Sequence, residues 1–213
     1  MRNLAHHLST IGVPKKFAEV IQTEVTDTYT KRHGGYHDLN HIQRVLTYFE
    51  KMSSDIENVG YSAAIVAIWF HDYVYQGNAD DVKESAKAVV AFLTNNHVEP
   101  EYIELVRNMV LATDYSKKCS CLDGGLTSAV RASDIAAACS GTYSQFLLSG
   151  VRVATEVKMV HSSIQFRAAR IKALKHLLPI ILAAECTAAR ELHSQAERNL
   201  ARYTDELITQ LAR

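Results

Sequence analysis

Four side chains in three separate segments could share one piece of chemistry: His41, the adjacent pair His71-Asp72, and Asp134. The pair closes an apolar stretch, Trp69-Phe70-His71-Asp72-Tyr73. A further histidine, His37, precedes His41 by one helical turn in Tyr36-His37-Asp38-Leu39-Asn40-His41. Burying imidazoles and carboxylates together is costly unless something neutralises them. Two nitrogens and two oxygens make a mixed donor set suited to one divalent transition ion, and the set leaves coordination positions open, as catalysis requires. Each residue also has a plainer reading. His37 and His41 can be surface or capping histidines, His71 a core histidine with Asp72 as a solvated cap, and Asp134 the partner of a nearby arginine. Their recurrence about one helix apart favours the metal reading.

The elements that must position these residues are helical nearly throughout. Pro14 suits the first turn of a helix reaching about Tyr29, and Gly34-Gly35 marks the loop that follows. Asp38 is placed to cap a helix carrying Ile42, Val45, Leu46 and Phe49 on one face. The segment Tyr61 to Tyr75 is apolar on most sides and reads as the central, most buried helix, ending in the His-Asp pair. Gln76 to Asp80 reads as a polar loop, and Asp80 or Asp81 can cap the helix through Leu93. Pro100 opens another helix. Lys117 to Gly125, with Cys119 and Cys121, is the longest irregular stretch and a candidate lid or surface loop. Further helices fit Thr127 to Cys139, Tyr143 to Val160, Ser163 to Leu178, and Pro179 to the end, the last with room for one break. The expectation is an all-α single domain over residues 1–213, a bundle of about eight or nine helices. Its metal core spans about 30–140 and its C-terminal helices about 142–213.

Composition narrows the functional classes. Lys+Arg 23 balances Asp+Glu 23, so no extensive nucleic-acid or membrane surface is expected. No stretch reaches the roughly 18 apolar residues of a membrane span, and the first residues lack a signal-peptide core, so a cytoplasmic location is expected. The four cysteines, Cys119, Cys121, Cys139 and Cys186, have no zinc-ribbon spacing and read as free thiols. His161, His176 and His193 have no ligand partner at useful spacing and read as surface residues.

On these residues the chain resembles the HD-domain metal-dependent phosphohydrolases, whose pattern is H…HD…D on a helical core. It resembles more closely a group of small predicted HD phosphohydrolases, through Tyr36-His37-Asp38-Leu39-Asn40-His41-Ile42, Trp69-Phe70-His71-Asp72-Tyr73-Val74-Tyr75, Ser85-Ala86, and Ala196-Glu197-Arg198-Asn199-Leu200. The first two motifs are the specific ones. The resemblance implies metal ligands at His41, His71, Asp72 and Asp134. The Tyr-His-x-x-x-His spacing is also similar to that of class I cyclic-nucleotide phosphodiesterases, which implies that His41 binds metal while His37 protonates the leaving group. Asp72 or Asp134, whichever is left partly free, would accept the proton of the attacking water.

The expected activity is hydrolysis of a phosphate ester or anhydride, with a small phosphorylated molecule such as a nucleotide as substrate. The expected cofactor is one divalent ion (Mn, Fe, Zn, Co, Ni or Mg). Lys83 and Arg131 stand first among the candidate phosphate contacts, ahead of Lys31, Arg32, Arg44, Lys87 and Arg152. Gln76, Val82, Ser116 and Ala132 depart from the pattern of the smaller group. These departures allow altered specificity, or a degenerate regulatory module that binds metal or nucleotide without cleaving. An oligomer is compatible with either reading.

Overall fold

In a computed structural model describing residues 3–53, 60–117 and 125–212, every regular element is an α-helix. Eleven are present among the described residues. They are α1 (Leu4–Thr10), α2 (Lys15–Thr30), α3 (Leu39–Met52), α4 (Tyr61–Phe70), α5 (Asp81–Asn95), α6 (Pro100–Leu111), α7 (Leu126–Cys139), α8 (Tyr143–Glu156), α9 (Ile164–Leu177), α10 (Pro179–Leu182) and α11 (Thr187–Leu211). The count exceeds the expected eight or nine for two reasons. The seven-residue α1 is too short to show a periodicity, although Asn3 caps it and Leu4 and Leu8 are fully buried. The last stretch divides at Ala183–Cys186, where Glu185 takes a left-handed conformation (φ 54°) and the Cys186 thiol accepts the Ala189 N–H to start α11.

Helix α4 lies at the centre. Every residue from Ser62 to Phe70 is buried, and the helix packs against α1, α3, α5, α6 and α7. An all-apolar surface of this kind is stable only when other helices enclose it.

The expected extent of this helix, to Tyr75, is corrected: α4 stops at Phe70 and His71 is its C-cap. Its last carbonyls are claimed from outside. The Tyr29 hydroxyl donates to the Trp69 carbonyl at 2.9 Å, and His71 Nδ1 to that of Ile68 at 2.7 Å. The Arg32 guanidinium donates to the Asp72 and Tyr73 carbonyls at 2.6 and 2.5 Å. Ser85 Oγ accepts the Val74 N–H and donates to the Val74 carbonyl. Helix-end carbonyls need such partners, and these donors hold the His-Asp turn in place.

The end of α8 is also corrected, from Val160 to Glu156. Lys158 adopts φ 54° and the Met159 N–H turns back to the Ala154 carbonyl, so the chain leaves the helix there. Pro100 opens α6 as expected. The stretch proposed as a lid, with Cys119 and Cys121, falls largely at 118–124, outside the described residues. Cys139 and Cys186 are free thiols.

Asp38 caps α3 and is only 1% exposed. Its Oδ1 accepts the His41 N–H at 3.1 Å, and its Oδ2 accepts from Asn40 at 2.9 Å and from Arg152 Nη1 at 3.1 Å. Asp38→Ala therefore removes a cap and strands Arg152. A loss of about 2 kcal/mol or more is expected. For a chain of this size that is a fall of roughly 4–8 °C in Tm, read by calorimetry. An unchanged Tm would show that the cap does not hold the start of α3.

Candidate metal centre

Three helices bring the four predicted residues to one point. His41 sits in the first turn of α3, His71 and Asp72 at the end of α4, and Asp134 on α7. Helix α3 packs on both α4 and α7, which sets the distances. His41 Nε2 lies 3.3 Å from His71 Nε2, 3.3 Å from Asp72 Oδ2 and 3.2 Å from Asp134 Oδ1. His71 Nε2 lies 2.9 Å from Asp72 Oδ2 and 3.7 Å from Asp134 Oδ1. His41 is fully buried and His71 is 2% exposed.

His41, His71 and Asp134 each offer a ligand atom, and these atoms lie within 4.8 Å of one another, so the three could hold a metal ion. Donors at about 2.1 Å from one ion stand roughly 3.0 Å apart at neighbouring corners of an octahedron and about 3.4 Å apart in a tetrahedron. The spacings of 2.9–3.7 Å fall around those edges.

The hydrogen bonds of His71 supply an independent test of fit. Its Nδ1–H is committed to the Ile68 carbonyl, so the neutral ring presents the Nε2 lone pair to the carboxylate oxygen of Asp72. Two electron-rich atoms face each other there, an arrangement that a cation or a proton must relieve. Fixing the tautomer through a backbone carbonyl is how a ligating imidazole is commonly oriented. On Asp134, Oδ2 accepts from the Tyr115 hydroxyl at 2.8 Å, leaving Oδ1 toward the histidines. No arginine pairs with Asp134 among the described residues, which removes the plainer reading of that carboxylate. His41 lacks the second hydrogen bond that His71 has, because its Nδ1 is enclosed without a partner.

Charge distribution follows from the same distances. Burial favours neutral His71, but Asp72 and Asp134 outweigh it and raise its pKa well above the ordinary histidine value. Burial likewise opposes ionisation of Asp72 and Asp134, and the neighbouring imidazoles reverse this and hold both below the usual carboxylate range. At neutral pH the metal-free group therefore holds a proton on His71, which an entering ion must displace. Metal affinity is expected to rise by about tenfold per pH unit while one proton is displaced, and to level off above the raised pKa. Titration calorimetry in buffers of different ionisation enthalpy reads that release. A binding heat independent of buffer would contradict it.

His37 stands beside the centre, its ring 5.6 Å from that of His41. Glu156 of α8 grips it twice: Oε1 accepts the backbone N–H and Oε2 bonds Nδ1, each at 2.8 Å. The Tyr75 ring stacks on His37 at 3.9 Å, and its hydroxyl donates to Glu156 Oε2 at 3.3 Å. A side chain at Gly35 would meet Glu156, since a Cβ there would lie 2.5 Å from Oε1, so glycine at this position makes room for the carboxylate. Burial lowers the His37 pKa, but Asp72, Glu156 and Asp134 raise it further, and the net shift is upward.

Of the predicted phosphate contacts Lys83, Arg131 and Arg32, only Lys83 is exposed. Lys83 pairs with Asp80 at 3.3 Å on the exposed start of α5. Arg131 is 4% exposed and packs over the Tyr115 ring at 5.4 Å, with Nε and Nη1 enclosed and unpartnered. Arg32, considered as a phosphate contact, is instead the donor that holds the His-Asp turn. Of the late histidines, His176 is exposed while His161 and His193 are half-buried, His193 beside Glu197. Glu156 and Tyr115 carry no signal in the sequence. Glu156 lies 119 residues from the histidine it holds.

Comparison of the chain with protein-family models, with curated proteins and with solved structures finds no match in any of the three. Fold and site together define an all-helical protein with a His/Asp group able to hold a metal ion. No helix among the described residues is long and apolar enough to cross a membrane.

Proposed function

We propose that the protein is a metal-dependent phosphohydrolase of the HD-domain kind, cleaving a phosphate ester or anhydride, most fittingly of a nucleotide. The observation that carries this reading is the gathering of two imidazoles and two carboxylates from three helices, with a hydrogen-bonded histidine held beside them. His41, His71 and Asp134 would hold one divalent ion, with Asp72 Oδ2 as the fourth donor. Such an ion, when bound, polarises a phosphoryl oxygen and lowers the pKa of water.

The chain's own groups supply the proton transfers. Asp72 commits Oδ2 to the two imidazoles, and its Oδ1 makes no hydrogen bond among the described residues. Oδ1 is the atom that accepts the proton of the attacking water. His37 commits Nδ1 to Glu156, which leaves Nε2 to protonate the departing oxygen as the P–O bond breaks. Its raised pKa keeps that proton in place near neutrality.

A second reading, a regulatory module that binds nucleotide without cleaving it, is favoured by Ala132. This residue is a fully buried methyl two positions before Asp134, where the resembled group often has a carboxylate. The deciding experiment is a screen of metal-reconstituted protein against nucleoside mono-, di- and triphosphates and cyclic nucleotides, beside a metal-stripped control. Turnover only with metal supports hydrolysis. Nucleotide binding without turnover under any metal favours the module.

A further inference from the structure

A cavity of about 220 Å³ opens between α3, the end of α7 and α8. Its wall carries two guanidinium groups, Arg44 and Arg152, together with Asn40, Gln145 and Ser149, and no carboxylate. Arg44 has no acidic partner among the described residues. Its Nε and Nη2 are enclosed without a hydrogen-bond acceptor, and its guanidinium lies 5.6 Å from the Tyr36 ring. Arg152 spends one contact on Asp38. A third arginine, Arg170, stands behind the wall at 9% exposure, with Nη2 donating to Ser149 Oγ at 2.9 Å and Nε unpartnered. Of these three cations, Arg152 alone pairs with a carboxylate among the described residues, that of Asp38. Enclosed donors without acceptors are costly, and guanidinium groups match the oxygens of a phosphate in geometry and charge.

We propose that this cavity is an anion site that takes a phosphate group, held by Arg44 and Arg152. It adjoins the candidate metal centre through three connections. Asn40 precedes His41 in the chain, and Tyr36 lies between Arg44 and His41, its ring 4.7 Å from the His41 ring. Helix α8 carries Arg152 one turn before the Glu156 that grips His37. The phosphate has two possible sources, a non-reacting phosphate of the substrate or free phosphate acting as an effector. Binding of the group does not depend on hydrolysis, whereas the substrate source rests on the function proposed above.

The test begins with metal-stripped protein titrated with inorganic phosphate by calorimetry, so that the His/Asp group contributes no metal. Saturable one-to-one binding is expected, weakened at least about tenfold in Arg44→Gln and less in Arg44→Lys. Gln145→Glu gives a second reading should Arg44→Gln fail to fold. Glutamate can take over the capping-box bond that Gln145 makes with the Thr142 N–H, so α8 keeps its start while a negative charge enters the cavity wall. It should weaken phosphate several-fold with Tm unchanged. No saturable binding by the wild type, or equal binding by folded Arg44→Gln and Gln145→Glu, would overturn the proposal. With metal and the best substrate of the screen, a higher KM at steady kcat in Arg44→Gln, together with competitive inhibition by phosphate, assigns the group to the substrate. Phosphate binding unaffected by substrate assigns it to an effector. The metal-free titration reads the site even if no substrate is ever turned over.

Discussion

His71→Ala is expected to leave purified protein without bound metal and without hydrolytic turnover. The ring supplies the donor atom closest to Asp72, at 2.9 Å, and also faces His41 and Asp134. Its removal leaves two carboxylates on one remaining imidazole. Losing an outer partner of a ligand already costs about 10–100-fold in metal affinity, so losing a ligand should exceed about 100-fold. Asp72→Ala should act in the same direction, since the proposed reading gives that carboxylate both a donor and a base role. The measurements are metal content by elemental analysis, affinity by calorimetry, and turnover on the best substrate. Stoichiometric metal in folded His71→Ala would exclude this group as the binding site.

His37→Ala separates the two halves of the proposed chemistry. The His/Asp group should still take up metal, because none of the four proposed donor atoms belongs to His37. Turnover should fall by about 100-fold or more, the usual scale of a general-acid contribution. The sign of the pH effect follows from the raised pKa. The acid works only while protonated, so wild-type kcat should decline on the alkaline side as His37 loses its proton. His37→Ala should lack that limb. A substrate whose leaving group needs no proton should be cleaved almost equally by both proteins. Wild-type turnover by His37→Ala on a poor leaving group would end the acid assignment.

Much of this molecule is legible in the sequence because the relevant physics is local. The 3.6-residue apolar period and the scarcity of proline and glycine specify helices. Asp38 and Pro100 mark their starts through capping and fixed φ. The unbroken apolar run from Ala63 to Phe70 specifies the buried centre. His41, His71, Asp72 and Asp134 could be singled out because ionisable groups in apolar helices need a partner. Tertiary structure decided what depends on remote contacts. Helix α4 ends at Phe70 because Tyr29 and Arg32, about forty residues earlier, claim the carbonyls of the turn. Glu156, the last residue of α8, grips His37 from 119 residues away, and Gly35 leaves room for its carboxylate. Arg44 and Arg152 look like ordinary surface cations in the sequence, and become walls of one cavity only when α3 and α8 meet. Local propensity acts within a few residues along the chain, whereas the partner of a buried donor is chosen by how the helices pack.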